Sequence, residues 1–307
     1  MPDRVPARPG PVDDAAVPRF WRELGLPGLV DVHVHFLPPA VLAKVWAFFD
    51  AGEEHYGVRW PITYRMPEVD RVAALRAMGV RAFTALAYPH RPGMAEWLNG
   101  WTGEFTARTP DAVPSATFYP EPHVVAYVVK ALDRGVRVFK AHVTVGDYDP
   151  RDRLLDPVWG VLAEAGVPVV VHCGSGPRAG RFTGPAVIGE VLARHPRLTL
   201  VVAHLGAPEY AEHLALAERY RNVHLDTTMA GTDFMERLAP LPAGLRPRLA
   251  ALADRIVLGS DFPNIPYSYA HQLQALVRWD LGQDWLRAVL WDNGTRLLGL
   301  PVRRPGR

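Results

Sequence analysis

The chain has 307 residues, with 34 Lys and Arg against 32 Asp and Glu, and about half of them are apolar. That suits one large globular domain or two ordinary ones, with core enough to fold without a disulfide or structural metal. The net charge of +2 leaves no basic surplus for phosphates, so no nucleic-acid partner is expected. Cys173 is the single cysteine, which excludes an intrachain disulfide. No run approaches the roughly 20 apolar residues of a membrane span, and the N-terminus has no apolar signal-peptide core. A cytoplasmic protein with no membrane partner is the default expectation.

Residues 1–20 hold five prolines and no periodic apolar pattern, which predicts an extended arm. Residues 21–300 then alternate short apolar runs with amphipathic segments. The predicted strands are 29–35, 81–87, 112–119, 136–142, 167–172, 198–204, 222–227 and 255–260. Runs such as VPVVVH and LTLVVAH suit strands buried on both faces, as in a parallel sheet. Helices are predicted over 67–78, 93–108, 121–134, 156–165, 185–194 and 208–219, several opening with Pro and closing near Gly. A further helix over 284–298 is expected to close one end, and 301–307 is a polar basic tail. Eight strands alternating with helices predict a (β/α)8 TIM barrel as a single domain. A doubly wound open sheet is the competing α/β architecture, and no Gly-x-Gly-x-x-Gly follows the first strand to support its dinucleotide-binding form.

One connection is long for such a barrel. Residues 36–66 carry Phe36, Trp46, Phe48, Phe49, His55, Tyr56, Trp60 and Tyr64. Long loops in compact domains are usually functional, so this insertion after the first strand reads as an aromatic cap over a substrate. The bland reading is helix and filler against the barrel.

The histidines carry the chemistry. His33 and His35 stand two apart at the end of the first strand, so both project to one side. Lys140 lies near the end of strand four, His172 ends strand five, His204 ends strand six and Asp261 ends strand eight. In a barrel such residues converge on the carboxyl-end face, where active sites sit. Imidazole and carboxylate are good ligands for zinc or iron, and a metal lowers the pKa of water toward 7. Left without a shared task, six buried polar side chains would be costly. Asp226, ending strand seven, is placed to orient a ligand histidine. His142 either contacts substrate or caps its strand. His90, Arg91 and Glu121 fall at the mouth by topology, while His55, His123, His195, His213 and His271 lie off the strand ends and read as structural. Cys173 reads as buried and inert, and Gly174–Gly176 as a tight turn.

The motifs VDVHVH, RVFKAH, VVVHCGSG, VVAHLGAPE and VLGSDFP together resemble the amidohydrolase superfamily, in its amidohydrolase-related branch with the aminocarboxymuconate-semialdehyde decarboxylases. The resemblance spans roughly residues 28–300. It implies a metal-dependent (β/α)8 barrel that hydrolyses amides or esters, or decarboxylates. It implies a metal site of His33, His35, His172 and Asp261. His204 would be a second-metal ligand or an acid/base and oxyanion residue. Lys140 matches a position that some binuclear members carboxylate to bridge two metals. The cofactor expected is a divalent transition metal, zinc or iron, as one or two ions with two favoured.

The leading expectation is a hydrolase of an amide, ester or CoA-type thioester, with Asp261 and His204 as catalytic groups. The substrate expected is a small molecule with a hydrophobic acyl part. A non-oxidative decarboxylase is the alternative, and arginines in the pocket would favour it. A non-catalytic metal-binding barrel is the third. A homo-oligomer is compatible with all of them.

Overall fold

The structure, a computed structural model, describes residues 9–301. Nine short strands follow in order: β1 (Leu29–Asp31), β2 (Val80–Thr84), β3 (Ala112–Val113), β4 (Ser115–Thr117), β5 (Val138–His142), β6 (Val169–His172), β7 (Leu200–Val202), β8 (Val223–Asp226) and β9 (Ile256–Val257). Every pairing is parallel, in the orders β1-β2-β3 and β4 to β9. β3 and β4 are one predicted strand divided at Pro114, which has no N–H to give a ladder. The two ends of the sheet meet. Val32 N–H donates to Leu258 O at 2.9 Å and His35 N–H to Phe262 O at 2.7 Å. A parallel bridge joins Val34 and Phe262. The eight predicted strand positions thus close into a (β/α)8 barrel.

The strand residues divide by face. Val30, Ala82, Val113, Val138, Val170, Val201 and Val257 form an apolar layer inside the barrel, closed from below by Leu298. Their alternates, among them Leu29, Phe83, Phe139, Val169 and Leu200, pack against the surrounding helices in the larger core. Alternation then carries polar groups upward from the apolar layer: Lys140 and His142 above Val138, and His172 above Val170.

The predicted helices form with small shifts at their ends, as Glu68–Met78, Ala95–Arg108, Val124–Asp133, Asp156–Ala165, Pro185–Arg194 and Tyr210–Arg219. The helix Tyr269–Arg278 was not foreseen. The closing segment is Gln283–Arg287 and Asn293–Leu297 with a π-helical turn, Ala288–Asp292, between them. Asn293 ties it to the barrel by donating to Ala253 O and Ile256 O, both at 2.7 Å.

The predicted extended arm is corrected over its described part. A 3-10 turn, Asp14–Ala16, leads into a helix, Val17–Glu23. Val17, Phe20 and Trp21 are buried in the main core, so burial of an apolar face outweighs the proline-rich composition. The rest of that expectation, residues 1–8, and the tail from 302 onward lie outside the described residues. Among the described residues no helix is long and apolar enough to cross a membrane.

Candidate metal centre and substrate cavity

His33, His35, Lys140, His172, His204 and Asp261, six residues spread over the whole sequence, line one cavity of about 1130 Å³ at the carboxyl ends of the strands. The backbone bends to deliver four of them. Asp31 Oδ1 accepts the N–H of His33 at 3.1 Å, which interrupts the ladder after β1. Val30 and Val32 face the barrel interior, yet so do His33 and His35, so the facing side switches between Val32 and His33. His204 and Asp261 sit at φ 57° and 69°, in the left-handed region that costs a non-glycine residue energy. A regular strand would aim neither ring nor carboxylate the same way. Gly259 makes room behind them: a Cβ there would lie 2.3 Å from Thr228 Oγ1 and 2.9 Å from His33 Cβ.

Six aromatic rings close a circle around the cavity floor. His33 neighbours His35 at 5.1 Å between centroids, and His35 neighbours Tyr88 at 5.4 Å. Tyr88 meets His142 at 4.9 Å, and His142 stacks on His172 at 4.2 Å and 9°. His172 meets His204 at 4.7 Å, and His204 returns to His33 at 5.2 Å. Lys140, fully buried, points its Nζ to within 3.2 Å of His33 Nε2.

The hydrogen bonds fix where the lone pairs lie. His33 Nδ1 donates to Asp226 Oδ2 at 2.8 Å, which leaves the Nε2 lone pair facing the site. His35 Nδ1 donates to the carbonyl of Leu86 at 2.9 Å, since a carbonyl only accepts. Its Nε2 lies 2.9 Å from Asp261 Oδ1, a hydrogen bond that the ring donates when both its nitrogens carry a proton. His33 Nε2 lies 3.5 Å from the same oxygen. Lys140 Nζ faces the His33 Nε2 lone pair and His35 Nε2 faces Asp261 Oδ1, so protons hold the imidazoles and the carboxylate together here. A cation can take the place of those protons, since imidazole and carboxylate are the usual donors of a divalent transition ion. One donor atom each from His33, His204 and Asp261 lies within 4.8 Å of the others. His172 stands outside that trio: its Nε2 donates to Gly176 O at 3.2 Å, so Nδ1 carries the lone pair.

Electrostatics agree with neutral ligands. Burial pulls His33 and His204 down to about 4 and holds His172 and His142 well below the ordinary imidazole value. Burial pulls the Lys140 ammonium down to about 8. For Asp261 and Asp226 burial works the other way, but His35 beside the first and His33 beside the second outweigh it and keep both carboxylates ionised.

Asp226 contacts His33, in the orienting place expected of it. His90 and Arg91 line the cavity, whereas Glu121 is engaged by the N–H of Gly93 at 2.6 Å. Cys173 is buried and its thiol is pushed up to about 12 by burial, which leaves it inert. The Gly174–Gly176 loop is no anion cradle: Ser175 N–H goes to Glu209 and Gly176 N–H to Ala207 O. The aromatic insertion divides. Phe48, Phe49, Tyr56 and Trp60 line the cavity, on or beside the helices Pro39–Asp50 and Gly52–Tyr56. Phe36 instead stacks on Phe105 in the core at 4.4 Å, Tyr64 packs on Phe262, and Trp46, not itself in the lining, donates to the lining residue Asn264 from behind. Tyr88, Met229 and Met235 also line the cavity and were missed. Tyr88 directly follows the predicted strand 81–87, so its place past a strand end was a usable signal.

Fold and site together define a (β/α)8 barrel with a histidine- and carboxylate-lined centre at its catalytic face. A family model described as amidohydrolase matches residues 30–300, and the chain belongs to that family. A search of the curated proteins finds no match. Among solved structures, an uncharacterised TIM-barrel protein of Bordetella bronchiseptica is 22% identical, with 88% of this chain and 99% of that one covered at a TM-score of 0.66. A Pseudomonas putida protein assigned as a 2-pyrone-4,6-dicarboxylic acid hydrolase is 18% identical, covering 89% and 98% at 0.59. A 5-carboxyvanillate decarboxylase of Novosphingobium aromaticivorans, in complex with manganese and a nitrobenzoic acid, is 14% identical, covering 91% and 97% at 0.60. At these identities the likeness is one of fold.

Proposed function

We propose that the protein is a metal-dependent hydrolase that cleaves the acyl bond of an amide, ester or thioester whose acyl part is bulky and apolar. The observation that carries the reading is Lys140. It is fully buried, 3.2 Å from His33 Nε2, and drawn down to about 8 by burial. An amine so placed is partly neutral near pH 7, and carbamate forms only from neutral amine. Carboxylated, it would add a carboxylate to the set His33, His35, His172, His204 and Asp261, donors enough to hold two ions. Zinc and iron suit these donors, and manganese occupies a decarboxylase of the same fold. Such an ion supplies Lewis acidity at a carbonyl and makes water acidic enough to act near neutral pH.

The chain's own groups complete the chemistry. Asp226 holds His33 by its Nδ1–H and takes the backbone N–H of His204 at 2.9 Å, which fixes both rings. Asp261 receives the proton of the attacking water at Oδ2, the oxygen not bonded to His35, and passes it to the leaving group. His204 is either a ligand of a second ion or the group that faces the developing oxyanion. Phe48, Phe49, Tyr56 and Trp60 cover the acyl part and exclude water.

A second reading, decarboxylation, is favoured by one feature. Arg91, Arg178 and Arg181 line the cavity, and no ion pair forms on them among the described residues. Guanidinium groups suit a substrate carboxylate.

The test is elemental analysis of the purified protein, followed by turnover of the metal-loaded enzyme. Two ions per chain, falling to one in Lys140→Met, with cleavage of medium-chain acyl esters, thioesters or anilides, is the expected result. Release of CO2 from carboxyarenes with no acyl-bond cleavage would overturn the hydrolase in favour of the second reading. A Lys140→Met variant with the wild-type metal content would remove the bridging role.

A further inference from the structure

We propose that His142 donates, from its Nε2–H, the hydrogen bond that holds the substrate's reacting carbonyl oxygen as negative charge builds on it. The assignment rests on the acyl-hydrolase reading of the same cavity.

Three observations carry it. The first is the tautomer. His142 precedes the short helix Val143–Gly146 and caps it, its Nδ1 accepting the N–H of Val145 at 3.3 Å. A backbone N–H only donates, so Nδ1 carries a lone pair and the single proton of the neutral ring is on Nε2. The second is orientation. The ring stacks on His172 at 4.2 Å and 9° and meets Tyr88 at 4.9 Å, so its plane is held from two sides. The third is position. On β5, Lys140 and His142 face the same way, and His142 pairs in register with His172. Two residues of strand rise about 6.6 Å, which sets His142 one layer above Lys140 toward the mouth. It lines the cavity, and among the described residues Nε2 has no protein partner.

His33, with Nδ1–H on Asp226, turns a lone pair toward the centre. His142 directs an N–H. A group that cannot accept an ion at Nε2 without losing its proton, yet is held rigidly beside those that can, is fitted to an oxygen of the substrate. Preorganised donors of this kind act where charge develops and need no reorganisation during the reaction.

Two variants separate this role from helix capping. His142→Asn keeps a cap acceptor but cannot reach the position of Nε2. His142→Gln restores an N–H near that position and loses the cap. Each is compared with wild type, all manganese-loaded, in hydrolysis of p-nitrophenyl octanoate and in calorimetric titration with octylphosphonate, a tetrahedral anion with an apolar tail. His142→Asn is expected to lower kcat about 100-fold or more, the usual effect of losing one such donor, with KM, metal content and Tm little changed. It should weaken octylphosphonate about tenfold, as a donor aimed at the tetrahedral state requires. His142→Gln should recover part of both. In the metal-free protein the His142 ring nitrogens should report the Nε2–H tautomer by 15N NMR. An Nδ1–H tautomer, or His142→Asn with undiminished kcat and phosphonate affinity, overturns the assignment, as does a loss that follows Tm and is not relieved in His142→Gln. Absence of esterase activity in the wild type, with phosphonate binding still dependent on His142, would instead count against the hydrolase reading alone.

Discussion

His33 and Asp226, 193 positions apart in the chain, meet through a 2.8 Å hydrogen bond from Nδ1 to Oδ2 in the floor of the barrel. That contact sets the tautomer of His33 and so decides that its Nε2 lone pair faces the centre. Asp226 is saturated with donors, because its Oδ1 also takes the N–H of His204 at 2.9 Å and of Thr228 at 3.1 Å.

Asp226→Asn must therefore turn an amide N–H toward one of three N–H groups. The variant is expected to fold but to bind manganese about 10–100-fold more weakly, the usual cost of losing a partner behind a metal-ligating histidine. Calorimetric titration of wild type and variant measures it, and equal affinities would show that Asp226 does not orient the site.

Gly259 gives a steric prediction at the same place. A methyl group at residue 259 meets Thr228 Oγ1 at 2.3 Å, the Cβ of His33 at 2.9 Å and the Cβ of Asp226 at 3.1 Å. Gly259→Ala should cost about 1–3 kcal/mol of stability, as overpacking does, and reduce bound metal by displacing His33. A Tm and metal content equal to wild type would contradict the crowding.

Trp60 and Trp46 belong to one insertion but not to one environment. Trp60 lines the cavity, while Trp46 lies outside its lining with Arg65 and Arg71 over its ring at 5.5 and 5.9 Å. Trp60→Leu is expected to shift the preferred acyl length and to lower kcat/KM for the longest acyl groups about tenfold, as loss of large apolar contacts does. Trp46→Leu should lower Tm and leave the length preference alone. A flat length series in wild type, or identical series for both variants, would make the whole insertion structural.

Stability should fall in mild acid through a histidine inside the barrel, one strand layer below Asp226. Burial, with Arg255 and Arg296 nearby, pulls His224 from 6.5 down to about 4, and its Nδ1 has no partner. Burial also lowers His213. The unfolded chain takes up these protons near pH 6.5 and the folded chain does not, so the neutral rings favour the fold fully above that pH. The advantage is lost as pH falls from 6.5 toward 4, by at most about 1.4 kcal/mol per pH unit for each group. Thermal unfolding of the metal-free protein across this range should show the decline, and a smaller one in His224→Gln. The same slope in both proteins would refute the contribution of His224.

Much of the architecture was legible because its signals are local. Near-continuous β-branched runs such as VPVVVH, separated by amphipathic segments, specify buried parallel strands whatever surrounds them. The end of each run then placed His33, His35, Lys140, His172, His204 and Asp261 at one rim before any distance was known. The first helix escaped notice because its signal is tertiary. Val17–Glu23 has a proline-rich approach, and it is held by burying Phe20 and Trp21 against the barrel. Within the aromatic insertion, composition could not separate Trp60 from Trp46 or Tyr56 from Tyr64, since all are apolar rings and only packing decides which face a cavity.

The sequence by itself determined the barrel, its strand order and the set of polar residues at its rim, because hydrophobic periodicity and chain connectivity are properties of neighbours along the chain. What only the tertiary structure decided is where those residues aim and which nitrogen each histidine offers. The switch of face after Asp31, the left-handed turns at His204 and Asp261, and the tautomers imposed by Asp226, Leu86 and Val145 all depend on groups brought close in space. A hydrogen bond senses distance and direction, not separation in sequence. The division of the rim into lone-pair donors and the N–H of His142 therefore exists only once the barrel has closed.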